Sequence, residues 1–190
     1  TLIVLGGIRR SNRVNLIIVS VTLLTLLSFV IACLSEAIES ANQNLNPFFD
    51  ENEGSVNQLL YATALMFVAY TGYGRIATMG EEVLEPRRTI PKAIISTLVV
   101  TILLYTAVAF VAVSSVGAAS LSESVSQTSA PLQFVAEQLQ KPTLQWTITI
   151  GAMTAMLGVL LNLVLGLSRV LLAMGRRGDM PSATARINKA

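Results

Sequence analysis

The sequence predicts an all-α, polytopic bundle of membrane-spanning helices, and three observations carry that expectation. Of 190 residues, 53% are hydrophobic and only 13% are charged, against roughly 25% charged in an ordinary soluble domain. The hydrophobic residues gather in uncharged runs of membrane length. The basic residues fall on alternate loops between those runs.

A helix that crosses the hydrocarbon core needs about 20 apolar residues. Val14 to Leu34 supplies 21 without a charge, Ala93 to Val116 supplies 24 and Thr143 to Leu167 supplies 25. The last of these helices is expected to run on to about Met174. Val56 to Gly80 is a fourth candidate, with Arg75 inside it and a polar, glycine-rich centre. Thr1 to Ile8 reads as the tail of a fifth helix. The chain does not begin with Met and opens inside that apolar stretch. It is therefore read as a single transmembrane domain fragment, residues 1–190, cut from something longer. The remainder of its own chain would then be one of its partners.

The loops test this reading independently. Positively charged loops stay on the cytoplasmic side. Arg9–Arg13, Glu81–Lys92 and Gly175–Ala190 together hold ten Lys and Arg, whereas Ser35–Ser55 and Gly117–Pro142 hold one, Lys141. The first group is placed inside and the second outside, in a multi-pass protein of the cell membrane. The first outside loop is also acidic, with Glu36, Glu39, Asp50, Glu51 and Glu53. In the second, Ser129-Ala130-Pro131 is a helix-start signal, and Leu132, Val135 and Leu139 recur at helical spacing. A short amphipathic helix over about 131–140 is expected on the outer face, either as surface decoration or as a lid.

Composition also excludes function classes. There is no His, which removes the commonest metal ligand and general base. No metal, cofactor or catalytic residue is expected. A net charge of +2 is too small to imply nucleic acid. Cys33 is the single cysteine and lies in an apolar run, so no disulfide can form within the chain. An enzyme embedded in the membrane would need acid/base groups, and the spans offer only Arg75, tyrosines and hydroxyls.

The informative segment is the 56–80 span, expected to be broken over 68–74. Gly72, Gly74 and Thr71 stand near its middle. Glycine weakens a helix by about 1 kcal/mol relative to Ala in water. In lipid, a break survives only where the released backbone groups face protein, water or a ligand. The span enters from outside, so the carbonyls around Val68, Ala69, Tyr70 and Thr71 end the outer half-helix. They form the negative end of a dipole, which suits an ammonium group. The inner half-helix begins near Arg75, where N–H groups suit an anionic or polar group. The alternative for Gly72 and Gly74 is close helix packing. Arg75 is costly at membrane depth. It either snorkels or pairs with Glu82 on the same helical face, or it contacts substrate or a gate.

The run from Phe67 to Ile94 resembles the sixth helix and following loop of the amino acid–polyamine–organocation (APC) permease superfamily. The resemblance lies in Phe67, Ala69, Tyr70, Gly72, Ala77, Thr78, Glu81, Glu82, Val83, Pro86 and Pro91. Ser168 to Pro181 resembles that family's signature at the end of the eighth helix, and Arg9 to Asn15 its approach to the fifth. The resemblance covers nearly the whole chain. It implies the leucine-transporter fold, ten core helices in two inverted repeats of five. This chain would supply the end of helix four and helices five to eight. The resemblance also implies an amino acid substrate at the discontinuous sixth helix. The carbonyls at Val68, Ala69 and Thr71 would accept from its ammonium, and Gly72 would keep the break open. The missing first helix would hold the carboxylate, and the helix near Pro131 would be the extracellular lid.

Coupling is less legible. Some relatives carry a lysine in the fifth helix in place of a sodium ion. The matching position here is about Thr22, and the eighth span offers only Asn162 at its centre. A coupling proton or sodium ion is a candidate partner, with Arg75, Thr22, Asn162 and Glu82 as candidate gating or coupling residues. Glu81, Glu82 and Glu85 stand close in sequence to Arg87 and Arg88. This is either helix capping with a cytoplasmic anchor or an inner gate of ion pairs. The expected function is secondary-active amino acid transport by alternating access. A non-transporting scaffold or sensor of the same fold, or a carrier of polyamines or other organocations, is the alternative.

Overall fold

The structure is a computed structural model of the chain and describes residues 8–46, 55–70, 83–127 and 130–181. The described residues form helices without a strand: α1 (Ile8–Asn44), α2 (Ser55–Ala69), α3 (Pro86–Val116), α4 (Ala118–Gln127), α5 (Pro131–Gln138) and α6 (Pro142–Arg177). Three of them, α1, α3 and α6, are long and apolar enough to cross a membrane.

The long helices overrun the apolar stretches of the sequence. The 37 residues of α1 correspond to about 55 Å at 1.5 Å per residue, well beyond a hydrocarbon core of about 30 Å. An apolar run marks only the part that lies in hydrocarbon. The backbone keeps its internal hydrogen bonds past that point, because nothing in Ser35–Asn44 breaks a helix. α3 likewise starts at Pro86 rather than at Ala93. Pro86 takes the first helical position, where proline lacks only an N–H that has no partner anyway. Glu85 precedes it with φ 50° and makes no side-chain cap. Its carbonyl instead receives the N–H groups of Arg88 and Thr89, both at 3.0 Å. The Thr89 hydroxyl donates to the Leu84 carbonyl at 2.9 Å. Pro91 is then carried inside the helix.

The chain groups into two compact units, residues 1–25 with 149–190 and residues 26–148. In the first, α1 and α6 meet through small residues. A Cβ added to Gly151 would lie 2.7 Å from Thr25 Cβ, and one added to Gly158 would lie 2.7 Å from Ile18 Cγ2. Leu161 is buried beside them in the sequence of α6. Close backbone approach is the usual route to affinity between helices in lipid, where apolar surface gains nothing by leaving one apolar solvent for another.

The second unit holds the hydrophobic core. Phe29, Cys33 and Ala37 follow one another at four-residue intervals on α1 and are fully buried. They pack with Val111 and Ala112 of α3, Val135 and Ala136 of α5, and Leu144 and Ile148 of α6. Leu132 of α5 and Leu139, the residue that caps it, also pack against this core. The turn from α3 into α4 is made at Gly117, whose φ of +82° a side chain would rarely adopt. Asn44, the last residue of α1, donates its side-chain amide to the Ser114 carbonyl at 2.7 Å, which holds the end of α1 at this corner. α4 itself was not anticipated. Its sequence, AASLSESVSQ, is mostly small and polar, yet it is amphipathic, and Leu121 packs against the core.

Cβ contacts at the glycines predict a graded response in the thermal stability of the detergent-solubilised intact protein. Gly151→Ala forces a methyl against the Thr25 backbone-proximal atoms and should cost about 1–3 kcal/mol. Gly158→Ala meets a single close atom, the Cγ2 methyl of Ile18, where Gly151 meets three of Thr25, and should cost less. Gly166→Ala, with nothing within 4 Å of its Cβ, should leave the melting temperature unchanged or slightly raised.

Candidate functional site

α2 is where the structure and the motif meet. It is 15 residues long, about 22 Å at 1.5 Å per residue, so it stops short of a full crossing. Its described side chains from 56 to 69 are all exposed, Val68 and Ala69 included. Tyr70 follows in a turn and is half-buried. Its N–H donates to the Phe67 carbonyl at 3.1 Å, a tightened last turn. Its ring lies against Tyr105 of α3, with centroids 5.7 Å apart and planes inclined at 54°. The remaining expected residues of the break and gate, Thr71, Gly72, Gly74, Arg75 and Glu82, lie outside the described residues.

Thr22 and Asn162, two of the four candidate gating or coupling residues, lie among the described residues. The Thr22 hydroxyl donates to the Ile18 carbonyl of its own helix at 2.9 Å. Asn162 donates to the Asn15 side-chain oxygen on α1 at 3.0 Å and to the Gly158 carbonyl at 3.0 Å. Asn15 was missed in the sequence. It is a lone amide at the start of an apolar run, and only its partner on α6 gives it a role.

Charges outside the spans are used sparingly. Lys141, the single basic residue of the 35–55 and 117–142 segments, is half-buried between α5 and α6 in sequence. Its ammonium pairs with Glu36 at 2.7 Å and donates to the Ala32 carbonyl. Ser35 donates to the same carboxylate at 2.9 Å. Pairs this exposed are worth at most about 1 kcal/mol, so the contribution of Lys141 is chiefly to register α5 on α1. No ion pair joins Glu85 to Arg87 or Arg88 among the described residues. A cleft of about 600 Å³ opens between α4 and α5, lined by Ser120, Glu123, Ser124, Phe134, Glu137, Gln138 and Gln140. It contains no residue of the motif. Among the described residues no three acidic or thiol side chains gather to hold a metal ion.

Comparison with known proteins decides the family. The whole chain, residues 1–190, matches the amino acid permease family model. The chain belongs to the amino acid permease family. It is 35% identical over 184 residues to an uncharacterized transporter of Mycobacterium tuberculosis, covering 96% of this chain and 40% of that protein. It is 29% identical over 182 residues to the branched-chain amino acid permease BcaP of Bacillus subtilis, covering 96% of this chain and 37% of the permease. It is 28% identical over 188 residues to the methylthioribose transporter of the same organism, covering 99% of this chain and 38% of that protein. The chain thus spans about 40% of the length of the curated relatives it matches. No solved structure matches it significantly. Amino acid permeases are membrane transporters and not enzymes, and the helices of this chain are those of a multi-pass membrane protein.

The Asn15–Asn162 bond gives a prediction for the permease. A double-mutant cycle on thermal stability with Asn15→Ala and Asn162→Ala should return a coupling of about 0.6 kcal/mol, and no more than about 1.7 kcal/mol.

Proposed function

We propose that the intact protein carries amino acids across the cell membrane by alternating access, with the substrate held where α2 ends. The observation that carries this reading is the stop of an apolar helix after 15 residues, at Ala69 and Tyr70. A helix that ends inside the membrane presents the negative end of its dipole there. The released backbone groups need a polar partner, and a substrate ammonium supplies one. Thr71, Gly72 and Gly74 follow directly, and glycine at this point leaves room for a ligand to approach the backbone. Val68, Ala69, Tyr70, Thr71, Gly72 and Gly74 form the proposed binding segment, completed by helices outside this chain. Arg75 and Glu82 are the proposed gate.

The amino acid permease family and relatives named as branched-chain amino acid permeases support this substrate class. A second reading, a carrier of a different small polar solute, is favoured by the relative named as a methylthioribose transporter. One assay separates them. The intact protein, reconstituted in proteoliposomes, is offered labelled branched-chain, cationic and polar amino acids, and methylthioribose, with and without proton and sodium gradients. Uptake of at least one amino acid is expected, and Gly72→Leu should abolish it while leaving the protein folded. Uptake of methylthioribose alone would replace the amino acid reading with the second. Dependence on one gradient identifies the coupling ion.

A further inference from the structure

Tyr105 stands at the middle of the Ala93–Val116 apolar run and is half-buried. Its ring meets that of Tyr70, the residue immediately after the last turn of α2. On the reading that the substrate binds at that helix end, we propose that Tyr105 is a positioning residue for the site, acting through Tyr70 and not touching the substrate.

The side chains of α2 are exposed from 56 to 69, and Tyr70 is the first to be half-buried. The peptide plane joining Ala69 to Tyr70 carries the Ala69 carbonyl on one side and the Tyr70 N–H on the other. Two constraints fix that plane. The N–H is bonded to the Phe67 carbonyl at 3.1 Å, and the side chain leaving Tyr70 is held by the Tyr105 ring at 5.7 Å. The inclined arrangement at 54° is among those that aromatic pairs prefer. Tyr105 in turn has a firm base. Val108 and Ala112, three and seven residues on, occupy the same face of α3 and pack in the core beside Val111. The aim of the Ala69 carbonyl, one of the groups proposed to accept from the substrate ammonium, is thereby referred to the core through a ring pair. Without the Tyr105 ring, Tyr70 keeps its backbone bond but loses the second constraint. The carbonyl then samples directions that do not meet the substrate.

The test is concentration-dependent uptake by the intact protein in proteoliposomes. Tyr105→Leu should raise KM by about two- to tenfold, the size of one inclined ring pair, with Vmax per folded protein unchanged. Tyr105→Phe, which keeps the ring, should restore the wild-type KM. Tyr70→Leu and Tyr105→Leu together should raise KM no more than Tyr70→Leu alone. If Tyr105→Leu does not fold, Tyr105→Met is read in its place. An unchanged KM in the ring-less variant, or additive effects in the double variant, overturns the role of Tyr105. Gly72→Leu run in parallel distinguishes the two levels. If it transports normally, the site at the end of α2 is wrong. If it is inactive while Tyr105→Leu keeps the wild-type KM, only the positioning role falls.

Discussion

The backbone hydrogen bond in a solvent that cannot replace it governs this chain. In hydrocarbon, each unpaired N–H or C=O costs several kcal/mol, so the chain can cross only as helix. The polar side chains obey the same constraint. Thr22, Thr25, Thr101 and Ser115 all donate their hydroxyls to carbonyls three or four residues back in their own helices. A hydroxyl in a span can be satisfied within its own helix, which is why its presence alone does not mark a site. The places where the ladder stops therefore carry the information. α1 ends at an amide bonded to α3, α3 ends at a glycine with positive φ, and α2 ends at Tyr70.

The second determinant is that apolar surface has little reason to be buried. Most large hydrophobic residues of α1, α3 and α6 are exposed, Leu103 and Leu157 among them. In a water-soluble protein this would be untenable. In lipid it is neutral, and association falls to close packing and polar bonds. Both occur between α1 and α6, as Gly151 against Thr25 and as Asn162 bonded to Asn15. Burial is concentrated where α5 seats Val135 and Ala136 among α1, α3 and α6. There the Lys141–Glu36 pair ties the end of α5 to α1, so α5 is an integral part of its unit.

The proposed site draws on both principles. α2 is exposed along its length and ends early, so its terminal carbonyls are aimed by whatever holds Tyr70. A ring pair is suited to that task because it is directional without requiring water or a charge. Alternating access, as proposed, also requires the binding segment to move. Aromatic contacts allow that at modest cost, whereas a buried ion pair would resist separation.

Sequence alone determined the solvent, and with it the class. The uncharged runs and the alternation of basic loops require helices that cross a bilayer, because lipid allows the backbone few other solutions. The Phe67–Pro91 motif determined the family, and the Tyr70–Gly74 segment marked the place to look for a site. Pairing was not legible. Asn15, Tyr105 and Glu36 look unremarkable in a linear reading, and each gains its role from a partner that is distant in sequence: Asn162, Tyr70 and Lys141. Helix ends lie beyond the apolar runs, since hydropathy reports where lipid begins and not where hydrogen bonding stops. α1 runs to Asn44 and α3 begins at Pro86 for that reason. Composition sets which solvent a segment accepts, but only tertiary structure decides which polar group meets which. In a low-dielectric interior that choice depends on register and distance, which no single segment contains.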